Sequence, residues 1–131
     1  MVIVDTTVWI DYFRGQGNPE TEWLDRELGQ QPLGLTDLIL CEILQGVQPE
    51  SVVTQVRSEL EKFELFETGG EDLAVAAAEN FRTLRRRGRT VRKTIDCLIA
   101  TFCLTRRHAL LHRDHDFDNF EEMLQLAVVH P

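Results

Sequence analysis

The chain opens with VIVDTTVWIDYF, from Val2 to Phe13, in which a β-branched run leads through a single acid into a longer mixed segment. The run Val2-Ile3-Val4 lacks polar alternation, which predicts a strand buried on both faces, as in a parallel sheet with helices above and below it. The segment Thr6 to Phe13 predicts a helix that stops near Gly15 and Gly17. A buried strand that feeds directly into a helix is typical of α/β proteins.

Strand and helix patterns then alternate along the rest of the chain. They predict strands over residues 33–35, 65–66, 109–111 and 126–129, and helices over about 19–28, 37–45, 49–63 and 71–87, with one more from 94. We expect Asn18, Asp37 and Thr94 to cap three of these helices, because each carries an oxygen that can accept a first-turn N–H. This order favours an α/β sandwich around a mainly parallel sheet, in which ligands gather beyond the carboxyl ends of the strands.

Composition indicates one globular domain covering residues 1–131. The chain is 43% hydrophobic and 27% charged, which is ordinary for a soluble domain and excludes intrinsic disorder. No apolar run approaches the roughly 20 residues that span a bilayer, and no secretory signal is visible. Three cysteines without a Cys-x-x-Cys pair favour a reducing cytoplasm. The net charge of −8 argues against simple electrostatic adhesion to nucleic acid or to a membrane.

Three acids stand where a parallel sheet usually builds a site. Asp5 ends the best strand candidate, Asp114 lies just past residues 109–111, and Asp116 follows two positions later. Each has a simpler alternative. The alternative for Asp5 is that it simply caps the helix that follows it. The alternative for Asp114, Asp116 and Asp118 is an ordinary polar turn.

Two further acids lie within apolar helices. Glu42 is embedded in LILCEIL (residues 38–44), and Asp96 lies in the first turn of IDCLIA (95–100). Neither has a Lys or Arg one helical turn beyond it, and a buried lone charge is nearly always paired or bound to a metal. A distant arginine is the alternative partner for Glu42, and the helix dipole is the alternative explanation for Asp96.

Carboxylates that converge must be neutralised, because two unit charges 4 Å apart repel by roughly 4 kcal/mol at an effective dielectric constant near 20. All-oxygen sites suit hard ions, and Mg²⁺ favours a few carboxylates together with waters and substrate phosphate. A metal held in this way generates hydroxide from water and stabilises in-line attack on phosphorus. The same ion bridges an acidic pocket to an anionic substrate, so the negative charge remains compatible with a nucleic-acid substrate.

Half of the fourteen basic residues lie in one stretch: Arg82, Arg85, Arg86, Arg87, Arg89, Arg92 and Lys93. Four of them fall at helical spacing just before Asp96 and predict a positive stripe that follows a phosphate backbone: Arg82, Arg85, Arg86 and Arg89. Arg92 and Lys93 extend the predicted nucleic-acid contact. The alternative is a solvated helix face. Two other metal-binding motifs are excluded. The sequence from Asp114 resembles the start of a calcium loop, but Asn119 occupies the position that requires glycine. The histidines do not follow the spacing of a zinc site.

Four blocks of the sequence resemble PIN-domain ribonucleases, specifically the VapC toxins of bacterial toxin–antitoxin pairs. The blocks are VDTTVWIDYF (residues 4–13), CEILQG (41–46), IDCLIA (95–100) and HRDHDF (112–117). They occur in the family's order and spacing, so the likeness covers essentially the whole chain. It implies a PIN-like three-layer α/β/α sandwich.

The resemblance also implies a Mg²⁺-dependent or Mn²⁺-dependent endoribonuclease. By position, the matching site residues are Asp5, Glu42, Asp96 and Asp114 as the acidic quartet, Asp116 as a further acid and Thr7 as a supporting hydroxyl. We expect Asp5, Asp96 and Asp114 to be the main metal ligands or water anchors. Glu42 would hold a second ion or orient the attacking water.

The partners that the resemblance implies are an RNA substrate and a small VapB-like antitoxin whose tail lies across the active-site groove. The expected assembly is a homodimer or a heteromeric toxin–antitoxin complex. Two alternatives are a non-catalytic PIN-like binding module and a phosphoacceptor receiver-like domain. A receiver would carry two acids after the first strand and a lysine after the last ones, but Thr6 follows Asp5 and neither Lys62 nor Lys93 ends a strand.

Overall fold

The fold is built on one sheet of four parallel strands, described by a computed structural model of residues 1–131. The strands are β1 (Val2–Val4), β2 (Leu33–Thr36), β3 (Glu64–Phe66) and β4 (Ala109–Leu111), in the spatial order β3-β2-β1-β4. Ile3 in β1 lies beside Gly34 on one side and Leu110 on the other. The first strand, β1, and the last strand, β4, are therefore neighbours. The acids that follow these two strands lie at the same edge of the sheet.

Seven helices connect and cover the strands: α1 (Thr6–Phe13), α2 (Pro19–Glu27), α3 (Asp37–Gly46), α4 (Val53–Leu60), α5 (Glu71–Arg86), α6 (Thr94–Arg106) and α7 (Asp118–Leu124). Every residue of β1 and β2 is buried. Because successive strand side chains point to opposite faces, this burial requires helices on both sides of the sheet. The predicted three-layer α/β/α sandwich is confirmed.

Large aromatic side chains from two helices fill the core. The Trp9 ring in α1 is fully buried and lies 4.9 Å, centroid to centroid, from the Phe63 ring. Phe102 in α6 packs 5.5 Å from Phe66 in β3. These contacts fix two helices against the sheet: α1, which Asp5 caps, and α6, whose first turn carries Asp96.

Two of the three predicted helix caps are wrong. Asn18 caps α2 as predicted, in a capping box with Thr21. In α3 the cap is Thr36, because β2 runs one residue further than predicted and the extended Thr36 accepts a hydrogen bond from the Ile39 amide. Thr94 is the first residue of α6, and the extended Lys93 precedes it without a side-chain cap bond.

Two predicted elements also differ from the observed ones. Residues 126–129 form no strand, because only Val128 bridges to Leu110 of β4 after Gln125 turns the chain away in a left-handed conformation. The helix predicted over residues 49–63 is divided into a 3₁₀ turn at Glu50–Val52 and α4. Neither difference changes the edge of the sheet at which the acids lie.

Candidate active site at the carboxyl end of the sheet

Asp5 joins the end of β1 to the start of α1. Its backbone N–H donates to the Leu111 carbonyl of β4 at 2.9 Å, and its side chain is buried. Oδ2 accepts hydrogen bonds from the Thr7 amide at 3.1 Å and from the Thr7 hydroxyl at 2.7 Å. Asp5 therefore caps α1, which was the alternative explanation for this residue in the sequence analysis. It is also a buried acid at the edge of the sheet.

The two threonines after Asp5 hold two different acids. Thr7 Oγ1 donates to Asp5 and accepts a hydrogen bond from the Arg113 amide at 3.1 Å, which ties α1 to the segment after β4. Thr6 Oγ1 donates to Glu42 Oε1 in α3 at 2.7 Å. The sequence prediction included Thr7 but missed Thr6, although a hydroxyl residue beside an acid at a strand end was the available signal.

Asp96, Asp114 and Asp116 form a compact carboxylate cluster. One oxygen from each lies within 4.8 Å of the others, although the three start from α6, the end of β4 and the 3₁₀ turn after it. Asp114 Oδ1 accepts a hydrogen bond from the Asp116 amide at 2.9 Å. Oδ2 of Asp96 and Oδ2 of Asp116 are buried without any hydrogen-bond partner. Buried oxygens without a partner are costly, so this cluster favours a cation.

Asp5 and Glu42 lie beside this cluster without being part of it. Burial first, and then the charges of Asp5 and Asp114, raise the pKa of Asp96 to about 7. Burial also raises the pKa of Asp5 to about 6, against the two hydrogen bonds from Thr7 and with a contribution from Glu42. The structure therefore brings the other four predicted acids within electrostatic reach of Asp96, and Asp114 and Asp116 lie close enough to share a metal ion with it.

Two basic residues contact the carboxylate cluster. Lys93 Nζ lies 3.6 Å from Asp114 Oδ2, and Arg92 Nε lies 3.2 Å from Asp116 Oδ1. The charge of Asp96, followed by that of Asp114, raises the pKa of Lys93. These two cations compensate part of the negative charge and leave both partnerless oxygens free.

The other basic residues of the predicted stripe lie elsewhere. Arg89 follows the end of α5, with Nη1 3.0 Å from Glu122 Oε2 and 3.2 Å from Asn119 Oδ1 of α7. Arg87 donates to the Met123 carbonyl. The stripe therefore divides into residues bound to α7, residues at the acids, and three exposed residues on α5, namely Arg82, Arg85 and Arg86.

Arg113 is a residue that the sequence prediction missed. Its Nη1 lies 2.7 Å from Glu20 Oε2 in α2, and its Nε lies 3.4 Å from Asp11 Oδ2 in α1. Its own amide donates to Thr7. Arg113 thus connects α1 and α2 to the turn that carries Asp114, and only the folded chain brings these partners together.

The donor set fits a hard divalent cation. It consists of carboxylate oxygens alone, two of them buried and unpaired, and it contains no thiolate or imidazole. Mg²⁺ and Mn²⁺ prefer such oxygen ligands and complete their shell with water or phosphate. Because burial first, and then the charges of Asp5 and Asp114, raise the pKa of Asp96, a cation at the cluster would favour the ionised form of this ligand.

Comparison with known proteins identifies the class of this fold. The PIN domain family model matches residues 2–123, and the chain belongs to the PIN domain family. Ribonuclease VapC11 of Mycobacterium tuberculosis (strain ATCC 25618 / H37Rv) is 31% identical over 120 residues, covering 90% of both chains. The chain is therefore a member of the VapC ribonucleases within that family, which confirms the resemblance and excludes the receiver-like alternative.

Solved structures support the same fold. VapBC2 from Rickettsia felis, bound to a promoter DNA fragment, matches with a TM-score of 0.77 and 15% identity, covering 98% of both chains. FitAcB from Neisseria gonorrhoeae matches with a TM-score of 0.77 and 20% identity, over 100% of this chain and 98% of that one. Mycobacterium tuberculosis VapC20, described as a sarcin-ricin loop cleaving toxin, matches with a TM-score of 0.64 and 15% identity, over 90% of this chain and 93% of that one.

None of the seven helices combines the length and apolar character needed to cross a bilayer.

Proposed function

We propose that this chain acts as one PIN domain over residues 1–131, a metal-dependent endoribonuclease that is the toxin of a toxin–antitoxin pair. Asp96, Asp114 and Asp116 would hold the Mg²⁺ or Mn²⁺ ion that hydrolysis of RNA phosphodiester bonds requires. The observation that carries this proposal is the cluster itself, three carboxylates within 4.8 Å with two buried oxygens that lack a partner. Membership of the VapC ribonucleases supplies the substrate class.

A divalent ion held by these residues would lower the pKa of a bound water and neutralise charge on the phosphate. Asp96 and Asp116 each offer a free Oδ2 as ligand. Glu42 is fixed by its hydrogen bond from Thr6, so that it orients the attacking water and accepts its proton. Asp5 is fixed by Thr7 and sets the charge felt by Asp96. Compared with the expectation from the sequence, Asp116 gains a ligand role in this arrangement. Asp5 acts as a water anchor, and Glu42 orients the attacking water.

An apolar groove supports the proposal of an antitoxin partner. It has a volume of about 320 Å³ and lies between α1, α3 and the start of α4, with an apolar lining made by Ile10, Phe13, Ile43, Val47, Val52 and Val56. The solved neighbours include toxin–antitoxin complexes. A groove of this kind suits the apolar face of a short helix or an extended segment from a small VapB-like protein.

The purified chain incubated with total RNA tests the enzymatic proposal. Cleavage is expected with Mg²⁺ or Mn²⁺, and it should stop when EDTA removes the ion. Asp96→Asn should lose cleavage, whereas Asp72→Asn, at an exposed position in the first turn of α5, should keep it. Cleavage that persists in EDTA would refute the metal-dependent mechanism, and no cleavage under any ion would favour the non-catalytic binding module.

The RNA that is cut can be identified in cells. Brief expression of the chain followed by mapping of new 5′ ends should give a small number of defined sites. Those sites should be absent after expression of Asp96→Asn. Uniform degradation of all RNA would contradict a specific toxin.

A further inference from the structure

Lys93 is placed at the carboxylate cluster in an unusual way for a basic residue of this chain. It lies directly before α6 in extended conformation, and its carbonyl accepts the Cys97 amide at 3.3 Å, which anchors the base of the side chain. Its ammonium lies 3.6 Å from Asp114 Oδ2, while its side chain is 58% exposed. The residue is therefore fixed at its backbone and free at its charged end.

The oxygen that Lys93 contacts is one that a metal ion needs. Asp114 Oδ1 already accepts the Asp116 amide, so Oδ2 is the oxygen available for a further ligand bond. Arg92 occupies Oδ1 of Asp116 and leaves Oδ2 of that residue unpaired. Lys93 thus contacts the Asp114 oxygen that would bind a metal ion, whereas Arg92 contacts the Asp116 oxygen that is not needed for this.

A salt bridge of this kind is easily broken. The Lys93 side chain is 58% exposed and the Asp114 side chain 16% exposed, so solvent screens the pair, and the long lysine side chain loses conformational freedom when it is held in place. Lysine presents a compact charge on a flexible four-carbon stem, so its ammonium can move several bond lengths while the backbone stays fixed. A divalent ion at the cluster would repel the ammonium at close range.

We propose that Lys93 is a displaceable counter-ion, which pairs with Asp114 in the metal-free protein and turns to an RNA phosphate when a divalent ion binds the cluster. The proposal rests on the proposed function, because it requires both the ion and the RNA at this site. It makes Lys93 the residue that couples metal binding to substrate binding.

This role predicts effects of opposite sign on the two ligands. Without the ammonium, the ion meets no competing charge at Asp114 Oδ2, so its affinity should rise. The RNA loses one phosphate contact, so its affinity should fall, but only when the ion is present. A residue that only stabilises the fold would lower both affinities or change neither.

The chain contains a matched control for the experiment, because Lys62 is the only other lysine and pairs with Glu59 on the surface. Lys93→Met and Lys62→Met remove the same charge at the two places, and Lys93→Arg keeps the charge. Calorimetric titration with Mn²⁺ measures ion affinity. Anisotropy of a fluorescent single-stranded RNA measures substrate affinity, in a Glu42→Gln background so that the RNA is not consumed, with Mg²⁺ and with EDTA.

Lys93→Met is expected to bind Mn²⁺ about three- to tenfold more tightly than the wild type. With Mg²⁺ it should bind RNA about three- to tenfold more weakly, and the slope of log affinity against log salt should fall by about 0.7, the value of one phosphate contact on a single strand. In EDTA the RNA affinities of the two proteins should agree. Lys62→Met should match the wild type throughout, and Lys93→Arg should restore most of the RNA affinity.

The outcomes separate this proposal from the proposed function. If the wild type binds no divalent ion, the metal-dependent function fails and this inference fails with it. If the wild type binds the ion and cuts RNA but Lys93→Met behaves like Lys62→Met, only the counter-ion role is overturned. Weaker Mn²⁺ binding in Lys93→Met, or an RNA defect that persists in EDTA, would also overturn it.

Discussion

The hydroxyl of Thr6 donates a 2.7 Å hydrogen bond to Oε1 of Glu42, and so connects the first residue of α1 to the middle of α3. Thr6 is buried, and the next residue, Thr7, gives its hydroxyl to Asp5. Consecutive threonines therefore orient two carboxylates that belong to different elements. The positions of Glu42 and Asp5 are set by the fold itself before any ion binds.

Replacing Thr6 tests how much the orientation of Glu42 contributes. Thr6→Val keeps the shape of the side chain and removes the donor, so the cleavage rate should fall about tenfold or more through lost positioning. The free energy of unfolding should fall by about 1.5 to 3 kcal/mol, the range for a hydrogen bond to a charged group. Thr6→Ser, which retains the hydroxyl, is the control. Single-turnover cleavage and urea unfolding measure both effects, and a valine variant that cuts at the wild-type rate would contradict the role of this contact.

Asp5→Asn removes a charge without changing volume. Cleavage should be lost, with a rate at least about a hundredfold lower, because the variant removes the negative charge that anchors water beside the carboxylate cluster. The fold should persist, since the Asn side-chain oxygen can still accept the hydrogen bonds from Thr7 that cap α1. Circular dichroism and thermal unfolding check the fold. An Asn variant that is both folded and fully active would exclude Asp5 from the site.

Much of the fold follows from local sequence patterns. The strand at Val2–Val4 and the helix after it are set by a β-branched run and an acid that caps, features that act over a few residues. The predicted strand over residues 126–129 failed because pairing depends on a partner edge, and β4 offers it only a single bridge. The Asp37 cap failed because the length of β2 is decided by its pairing with β3 up to Thr36.

The candidate site was predictable as a set of acids but not as a geometry. Asp96, Asp114 and Asp116 were candidates because of strand ends and an apolar helix, yet their grouping within 4.8 Å depends on how α6 packs against the sheet. The contacts of Lys93 and Arg113 with acids also depend on the tertiary fold. Sequence spacing carries no information about such contacts between distant segments.

The metal-free protein should become less stable as pH rises. The pKa of Asp96 is raised from 3.8 to about 7, and that of Asp5 from 3.8 to about 6, chiefly by burial. A raised pKa in the folded state means that the stabilising contribution is complete below the unfolded pKa and is lost as pH rises through the folded one. These two groups should therefore lower the melting temperature from about pH 4 to pH 7. Thermal unfolding in EDTA across this range measures the change.

Asp96→Asn separates this effect from the titration of other groups. The variant cannot ionise at position 96, so in EDTA at pH 8 it should melt several degrees above the wild type, about 3 °C or more for 1 kcal/mol in a domain of this size. At pH 4 the two proteins should be similar. A lower melting temperature for the variant at pH 8 would show that the ionised Asp96 stabilises the metal-free fold, contrary to its burial.

Divalent ions should bind with release of protons near neutral pH. Ligand carboxylates must be ionised to bind a metal, and Asp96 with a pKa of about 7 is partly protonated there. Mg²⁺ or Mn²⁺ affinity should thus fall as pH drops from 8 to 6. Calorimetry in two buffers of different ionisation enthalpy counts the released protons. Affinity that is independent of pH over this range would mean that Asp96 is not a ligand.

The basic residues after the middle of α5 should divide into two functional groups. Arg89 pairs with Glu122 and Asn119 of α7, so Arg89→Gln should lower the free energy of unfolding by about 0.5 to 1 kcal/mol, as expected for a partly exposed ion pair.

Arg82 is exposed on α5. Arg82→Gln should leave stability unchanged and weaken RNA binding uniformly across sequences, with a smaller salt slope, because a phosphate contact carries no base information. Denaturant unfolding and salt-dependent RNA binding distinguish the two variants, and an Arg82 variant with wild-type RNA affinity would make the α5 part of the stripe a solvated helix face.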